Sequence, residues 1–182
     1  HQDTTISRAV LCDANLPSLN SYQKEYDLIY PQSGWVELDP KDVLSTVKES
    51  VENLLGEVDG TDIKSCGITN QRETTIVWEK STGDPVYPGI VWQDRRTADY
   101  CEELKQKGSE DIVKDKTGLL LDPYFSATKI KWILDNTPGA LSMAKNGELL
   151  FGTIDSYLIY NLTKEKNHLT DITNASRTLL YN

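Results

Sequence analysis

Cationic surplus, long apolar runs and paired cysteines are all missing from this sequence. Lys and Arg total 19 against 28 Asp and Glu, a formal net charge of -9. That balance argues against wrapping nucleic acid or lying on an anionic membrane, since both reward clustered cations. It still allows a local phosphate site, where one Arg and a few backbone N–H groups suffice. No apolar run approaches the ~20 residues that span a bilayer. The first residues, from His1 to Thr5, form neither a basic nor an apolar leader region, so no signal peptide is expected. The 3 cysteines, Cys12, Cys66 and Cys101, are scattered and form no C-x-x-C pair. They read as reduced thiols, which suit the cytoplasm, and argue against a structural zinc site. The two histidines, His1 and His168, lack a partner pattern for a metal or for a Ser–His pair. Two sequons, at Asn161 and Asn174, are read as chance in a chain without a secretion signal.

What is present suits an ordinary folded chain. Its 182 residues fit one domain or part of a larger protein, and 38% apolar with 26% charged residues argues against disorder. An apolar strand is expected at Ala9–Cys12. A second over Tyr22–Tyr30 would pair with it, after turn chemistry at Asp13–Asn15 and Pro17–Ser18. The clearest helix start follows: Asp39 as N-cap, Pro40 in the first position, Asp42 in the first turn. Val43, Leu44, Val47, Val51, Leu54 and Leu55 then share one face, and Gly56 is the stop. Strands are expected at Ile63–Thr69, Thr75–Glu79, Ile90–Trp92 and Leu149–Phe151. Helices are expected at Thr97–Lys107, Ala127–Asp135 and Tyr157–Leu162. This alternation is the α/β pattern, and in open α/β sheets ligands sit beyond the carboxyl ends of strands. That points to the loops after Thr69 and after Trp92.

Three stretches carry chemistry. In Gly67–Trp78 (GITNQRETTIVW) four polar residues stand between two strands. The adjacent Arg72 and Glu73 offer a donor fork and an acceptor, a pairing that grips a polyol by hydroxyls that both donate and accept. On composition alone a solvated ion pair on a surface hairpin is the favoured explanation. In Ile90–Arg96 (IVWQDRR), Trp92 is either core or an aromatic wall against ligand carbons, and Asp94 with the Arg pair either caps the next helix or does more. In Asp122–Ser126 (DPYFS), Tyr124 either wedges beneath a turn or lends its hydroxyl to a ligand.

The string GITNQRETTIVW resembles the signature of the glycerol kinases, within the FGGY group of carbohydrate kinases. Further strings fall in the same family order: Tyr30-Pro31 with Gly34–Glu37, Val91–Thr97, Thr117–Phe125, Lys131–Asp135, Phe151–Asp155 and Thr173–Thr178. The resemblance covers essentially the whole chain. It implies an α/β, actin-like, ribonuclease-H-like ATPase fold of two lobes, with residues 1–182 as most of the first. It implies ATP-dependent phosphorylation of glycerol to glycerol 3-phosphate with Mg2+. By position, Arg72, Glu73 and Tyr124 match residues that hydrogen-bond glycerol, and Trp92 matches the wall against its carbons. Thr4, Thr5 and Arg8 match the hairpin that faces the phosphates of ATP.

Departures from the family pattern set further expectations. The hairpin opens in relatives as Asp-Gln-Gly-Thr-Thr, whereas here it reads His1, Gln2, Asp3, Thr4, Thr5. His1 lacks the carboxylate that helps hold the metal through its water shell, so no metal ligand is assigned. Asp3 sets a negative charge beside an anion where relatives have Gly. The strand that precedes this hairpin is expected outside residues 1–182. The resemblance puts the catalytic Asp beyond Asn182, together with the nucleotide-binding lobe. No catalytic base is therefore assigned within the chain, which alone is expected not to turn over. Two alternatives stand beside this reading: a non-catalytic polyol- or partner-binding remnant, and a sibling kinase for another polyol. A homo-oligomer is left open.

Overall fold

The computed structural model describes residues 1–13, 15, 18–56 and 60–182. A hairpin opens the chain, β1 (Ile6–Cys12) against β2 (Ser18–Glu25), antiparallel with Ile6 opposite Glu25. Its expected turn lies partly outside the described residues. The alternation over Tyr22–Tyr30 proves to be two strands, because the chain changes partners midway. β2 ends on β1, while β3 (Leu28–Ile29) pairs with β4 (Glu37–Leu38), a strand the sequence reading missed.

Helix α1 (Pro40–Leu55) begins as expected, with Asp39 Oδ1 accepting the Lys41 N–H at 2.8 Å and Gly56 at its end. The face it buries is narrower and more polar than the apolar spacing suggests. Val43, Thr46, Ser50 and Leu54 point inward, whereas Val51 is exposed. Thr46 and Ser50 meet the hairpin through Ser7, whose Oγ lies 2.7 Å from Thr46 Oγ1, so a buried polar seam joins α1 to β1.

Segment 63–69 forms no ladder, contrary to the expected strand. A ladder requires a neighbouring strand, and the chain beside it supplies one parallel bridge, Gln2 to Asn70. β5 (Ile76–Glu79) instead pairs antiparallel with β7 (Leu149–Gly152). β6 is Gly89–Ile90 and stops before Trp92, although the Val91 N–H still donates to the Val36 carbonyl at 3.0 Å. β6 also pairs with β4. All these ladders are antiparallel, in three small sheets.

The later helices are α2 (Ala98–Gln106), α3 (Glu110–Thr117), α4 (Ser126–Asn136), α5 (Ala140–Lys145), α6 (Ile154–Leu162) and α7 (Ile172–Ala175). Helix α3 was missed because it buries nothing and so shows no apolar period. Its ends were nonetheless legible: acids Glu110 and Asp111 in the first turn, Lys114 and Lys116 in the last, and Gly118 at φ 70° beyond. Helices α5 and α7 also went unread, being too short at 6 and 4 residues to show a period. Among the described residues no helix is long and apolar enough to cross a membrane. Cys12, Cys66 and Cys101 are free thiols, the last one buried.

The core forms on both faces of β5, as the two-residue period of a strand requires. Ile76 and Trp78 face one cluster with Leu38, Val43, Val91 and Tyr157, and Val77 faces a second with Ile90 and Ile133. The Trp78 ring centroid lies 5.5 Å from Tyr157 and 5.6 Å from Tyr160. Gly152, at the end of β7, lets α6 approach this indole. A Cβ there would stand 2.4 Å from Ser156 Cβ and 3.1 Å from Trp78. Gly152→Ala is therefore expected to cost about 1–3 kcal/mol of overpacking, read by urea unfolding. A midpoint unchanged from wild type would refute this close approach.

Candidate functional site

The loop from Asn70 to Thr75 is pinned before β5 begins. Asn70 Nδ2 donates to Asn174 Oδ1 at 3.0 Å, and Thr74 Oγ1 donates to Gln71 Oε1 at 2.7 Å. These bonds leave Arg72 exposed, its Nη1 donating to the Thr173 carbonyl at 3.3 Å. Glu73, by contrast, is turned inward and 5% exposed. Its carboxylate Oε1 accepts from Arg177 Nε at 2.8 Å. A solvated hairpin pair between Arg72 and Glu73 is thus not what forms.

Tyr124 stands beside Glu73. Its loop is set by Asp122, whose Oδ1 accepts the Tyr124 N–H at 2.8 Å. Burial first, and then the Glu73 charge, push the phenol above its ordinary range, while Arg177 opposes them. The Trp92 ring lies 6.0 Å from the Tyr124 ring, and Trp92 Nε1 donates to Thr4 Oγ1 at 3.2 Å. Arg72, Glu73, Tyr124, Trp92 and Thr4 therefore share one corner of the molecule. Thr5 and Arg8 lie further along the exposed hairpin, Thr5 receiving the Tyr26 N–H and Arg8 Nε reaching Gln23 Oε1 at 3.1 Å. The His1 amine donates to the Arg8 carbonyl at 2.6 Å.

Two residues the sequence reading missed hold this corner together. Lys129, 1% exposed, sends Nζ to the carbonyls of Glu73 (2.9 Å) and Tyr124 (2.8 Å) and so staples their two loops. Burial lowers its amine to about 7, against the opposite pull of the nearby carboxylates Asp94 and Glu73. Its position was legible, since Lys129 lies four residues before Ile133 and so on the inward face of α4. Arg177 offered no such periodic signal.

The stretch after Trp92 does not cap the next helix: α2 starts beyond Thr97 with no side-chain cap. Asp94 instead accepts the Val36 N–H at 2.6 Å and chelates Arg96, whose Nη2 also reaches Glu37 at 2.8 Å. The guanidinium sits in the corner that Trp35 and Trp132 make edge to face, 3.9 Å and 4.5 Å from their ring centroids, which are 5.0 Å apart. This fully buried knot fixes the loop that carries Trp92.

Chemically the corner offers a donor fork, an acceptor, a group that does both, and an aromatic wall. That set suits a small polyhydroxylated ligand, whose hydroxyls need partners of both kinds.

Residues 2–182 match the family model described as the FGGY family of carbohydrate kinases, N-terminal domain. The chain is 57% identical over 184 aligned residues to the glycerol kinase of Burkholderia vietnamiensis, covering 100% of this chain and 37% of that protein. It superposes on the crystal structure of Plasmodium falciparum glycerol kinase with ADP at TM-score 0.94 and 35% identity, over 98% of this chain and 36% of that one. The ligand-bound xylulose kinase of Lactobacillus acidophilus matches at TM-score 0.87 and 26% identity, over 98% of this chain and 35% of that one. The chain thus spans little more than a third of each relative, and its mixed α/β fold is that of the N-terminal portion of these sugar kinases. The family match runs up to Asn182, the last residue of the chain. On the match over residues 2–182, this chain belongs to the FGGY family of carbohydrate kinases.

Proposed function

We propose that this chain is the polyol-binding part of a glycerol kinase, an enzyme of the cytoplasm that transfers a phosphoryl group from ATP to glycerol. Residues 1–182 are read as its N-terminal lobe. The general base, an Asp in this reading, and the nucleotide-binding lobe belong to sequence beyond Asn182. The observation that carries the reading is the gathering of Glu73, Tyr124, Trp92 and Thr4 in one corner, in a chain 57% identical to a glycerol kinase. Free thiols at Cys12, Cys66 and Cys101 are in keeping with a reducing compartment.

Phosphoryl transfer asks a protein mainly for positioning and charge stabilisation. In this reading Arg72 donates hydrogen bonds to hydroxyl oxygens and Glu73 accepts hydrogen bonds from the hydroxyl groups. Tyr124 does either, and Trp92 covers the carbon chain and excludes water. Thr4, bonded to the Trp92 indole, sets the phosphate-facing hairpin against the polyol, with Thr5 and Arg8 following on it. A magnesium ion fits the hairpin poorly. The Asp3 carboxylate is partly engaged, Oδ1 accepting the Thr4 N–H at 2.8 Å, and His1 brings no anion. No step in this reading runs through the metal.

Calorimetry with glycerol tests the proposal on the purified chain. Binding is expected for wild type and a loss of about tenfold or more for Arg72→Ala, the cost of a charge-assisted hydrogen bond. Equal heats from both proteins would remove Arg72 from the site. Stronger binding of xylulose than of glycerol would move the reading to a sibling kinase.

A further inference from the structure

We propose that Arg177 is a positioning residue of the polyol site, holding the Glu73 carboxylate and the Tyr124 phenol in fixed relation before any ligand arrives. This inference deepens the polyol reading above and rests on it.

Arg177 touches both groups at once. Its Nε donates to Glu73 Oε1 at 2.8 Å, and its guanidinium carbon lies 5.6 Å from the Tyr124 ring centroid and 4.9 Å from that of Phe125. The Tyr124 phenol also feels the charges of both Glu73 and Arg177. A glutamate has three rotatable side-chain bonds, and ordering such a side chain costs up to about 2 kcal/mol. A guanidinium that orders it beforehand removes that cost from binding, which is preorganisation in the strict sense. It also keeps the carboxylate in the acceptor role that a ligand hydroxyl needs.

The arginine is itself well anchored. The Ala127 N–H, at the start of α4, donates to the Thr178 carbonyl at 2.9 Å, and the Arg177 N–H to the Asn174 carbonyl at 3.0 Å. Asn174 is buried and accepts from Asn70, three residues before Glu73. The Thr173 carbonyl takes a hydrogen bond from Arg72. One short segment, Thr173–Thr178, therefore engages Arg72, Glu73 and Tyr124 together. A surface ion pair would have no reason to meet three residues of one site. Arg177 is also only half-buried, its side chain 28% exposed, and it belongs to neither apolar cluster, so replacing it removes no core side chain.

The test uses the 182-residue chain with 13C-labelled tyrosine, the Tyr124 signal being assigned with Tyr124→Phe. Two readouts are taken, the Tyr124 titration and glycerol affinity, for wild type, Arg177→Met and Arg177→Lys. Titration reports the electrostatic contact without any ligand. The groups facing the phenol are Glu73 and Arg177, so Arg177→Met is expected to move its titration to higher pH. Glycerol affinity is expected to fall about tenfold to a hundredfold in Arg177→Met. Arg177→Lys is expected to restore the titration but not the affinity, because an ammonium lacks the planar fork that orients a carboxylate. Wild-type glycerol affinity in both variants would overturn the proposal. Absence of any glycerol response in wild type would overturn the polyol reading itself, and the proposal with it.

Discussion

Replacing Arg96 with Leu is expected to lower the unfolding free energy by about 3–5 kcal/mol, the range for removing one partner of a buried ion pair. The Arg96 and Asp94 side chains are 0% and 1% exposed, and Glu37 is 5% exposed. Arg96 binds Asp94 through two donors, Nε to Oδ1 at 2.9 Å and Nη2 to Oδ2 at 2.8 Å, and shares Nη2 with Glu37. Its Nη1 donates to the Tyr87 hydroxyl at 3.2 Å, and Tyr87 in turn donates to Glu37 at 2.7 Å. Every charge is paired, and taking away the cation leaves two carboxylates without compensation in a place water does not reach. The rings of Trp35 and Trp132 would face an aliphatic side chain and lose their cation–π attraction as well. Arg96→Lys should recover only part of the loss, since an ammonium cannot span Asp94 bidentately or lie flat against an indole. Urea unfolding followed by tryptophan fluorescence measures both. A loss below about 1 kcal/mol for Arg96→Leu, the level of an exposed pair, would mean the knot is open to solvent.

The second large effect is a dependence on alkaline pH. Lys129 in the folded chain loses its proton near pH 7, whereas unfolded lysine holds it up to its ordinary 10.5. Between these values the unfolded state binds more protons, so unfolding free energy rises with pH. The gain is fully present above 10.5 and is lost as pH falls to 7. The gap corresponds to about 5 kcal/mol, at 1.36 kcal/mol for each pH unit. Burial is the main cause, and Asp94, Glu73 and Asp122 pull the other way while Arg96 assists. Two tyrosines reverse the trend at higher pH. Burial pushes Tyr26 and Tyr157 up to about 12 from 10.0, so above pH 10 the folded state binds more protons and stability falls. Maximum stability is therefore expected near pH 10. Lys129→Met should flatten the rise between pH 7 and 10 and leave the fall above it. A wild-type chain no more stable at pH 9.5 than at pH 7 would show that Lys129 stays charged when folded. The neutral amine has two N–H donors, which match the two carbonyls of Glu73 and Tyr124 that it holds.

How much of this was legible in the sequence depended on the range of the interaction. Helix α1 was read almost to the residue, because its N-cap, first-position proline and stop are local chemistry within a few positions. The strand at Thr75–Glu79 was found for the same reason, its β-branched and aromatic run being local. Ile63–Thr69 was misread, since β propensity describes one strand and a ladder needs two. The break inside Tyr22–Tyr30 was invisible because alternation continues across a change of partner.

The candidate site divides along the same line. Arg72, Glu73, Trp92 and Tyr124 stood out by residue type and family resemblance, and each belongs to the corner the fold assembles. The residues that hold them did not stand out. Lys129 lies 56 positions from Glu73, and Arg177 lies 104 from it. Asp94 and Arg96 looked like local capping and proved to be a buried knot with Glu37, 59 positions from Arg96.

The sequence by itself determined the family, the main elements and the chemical types available for a polyol. These follow from residue identity and from neighbours within a turn of helix or strand. Only the tertiary structure decided which charges are buried and paired, which amine has its charge opposed by burial, and which arginine meets the carboxylate. Burial and pairing are set by residues distant in sequence, and desolvation, which governs all three, exists only once the chain has closed around them.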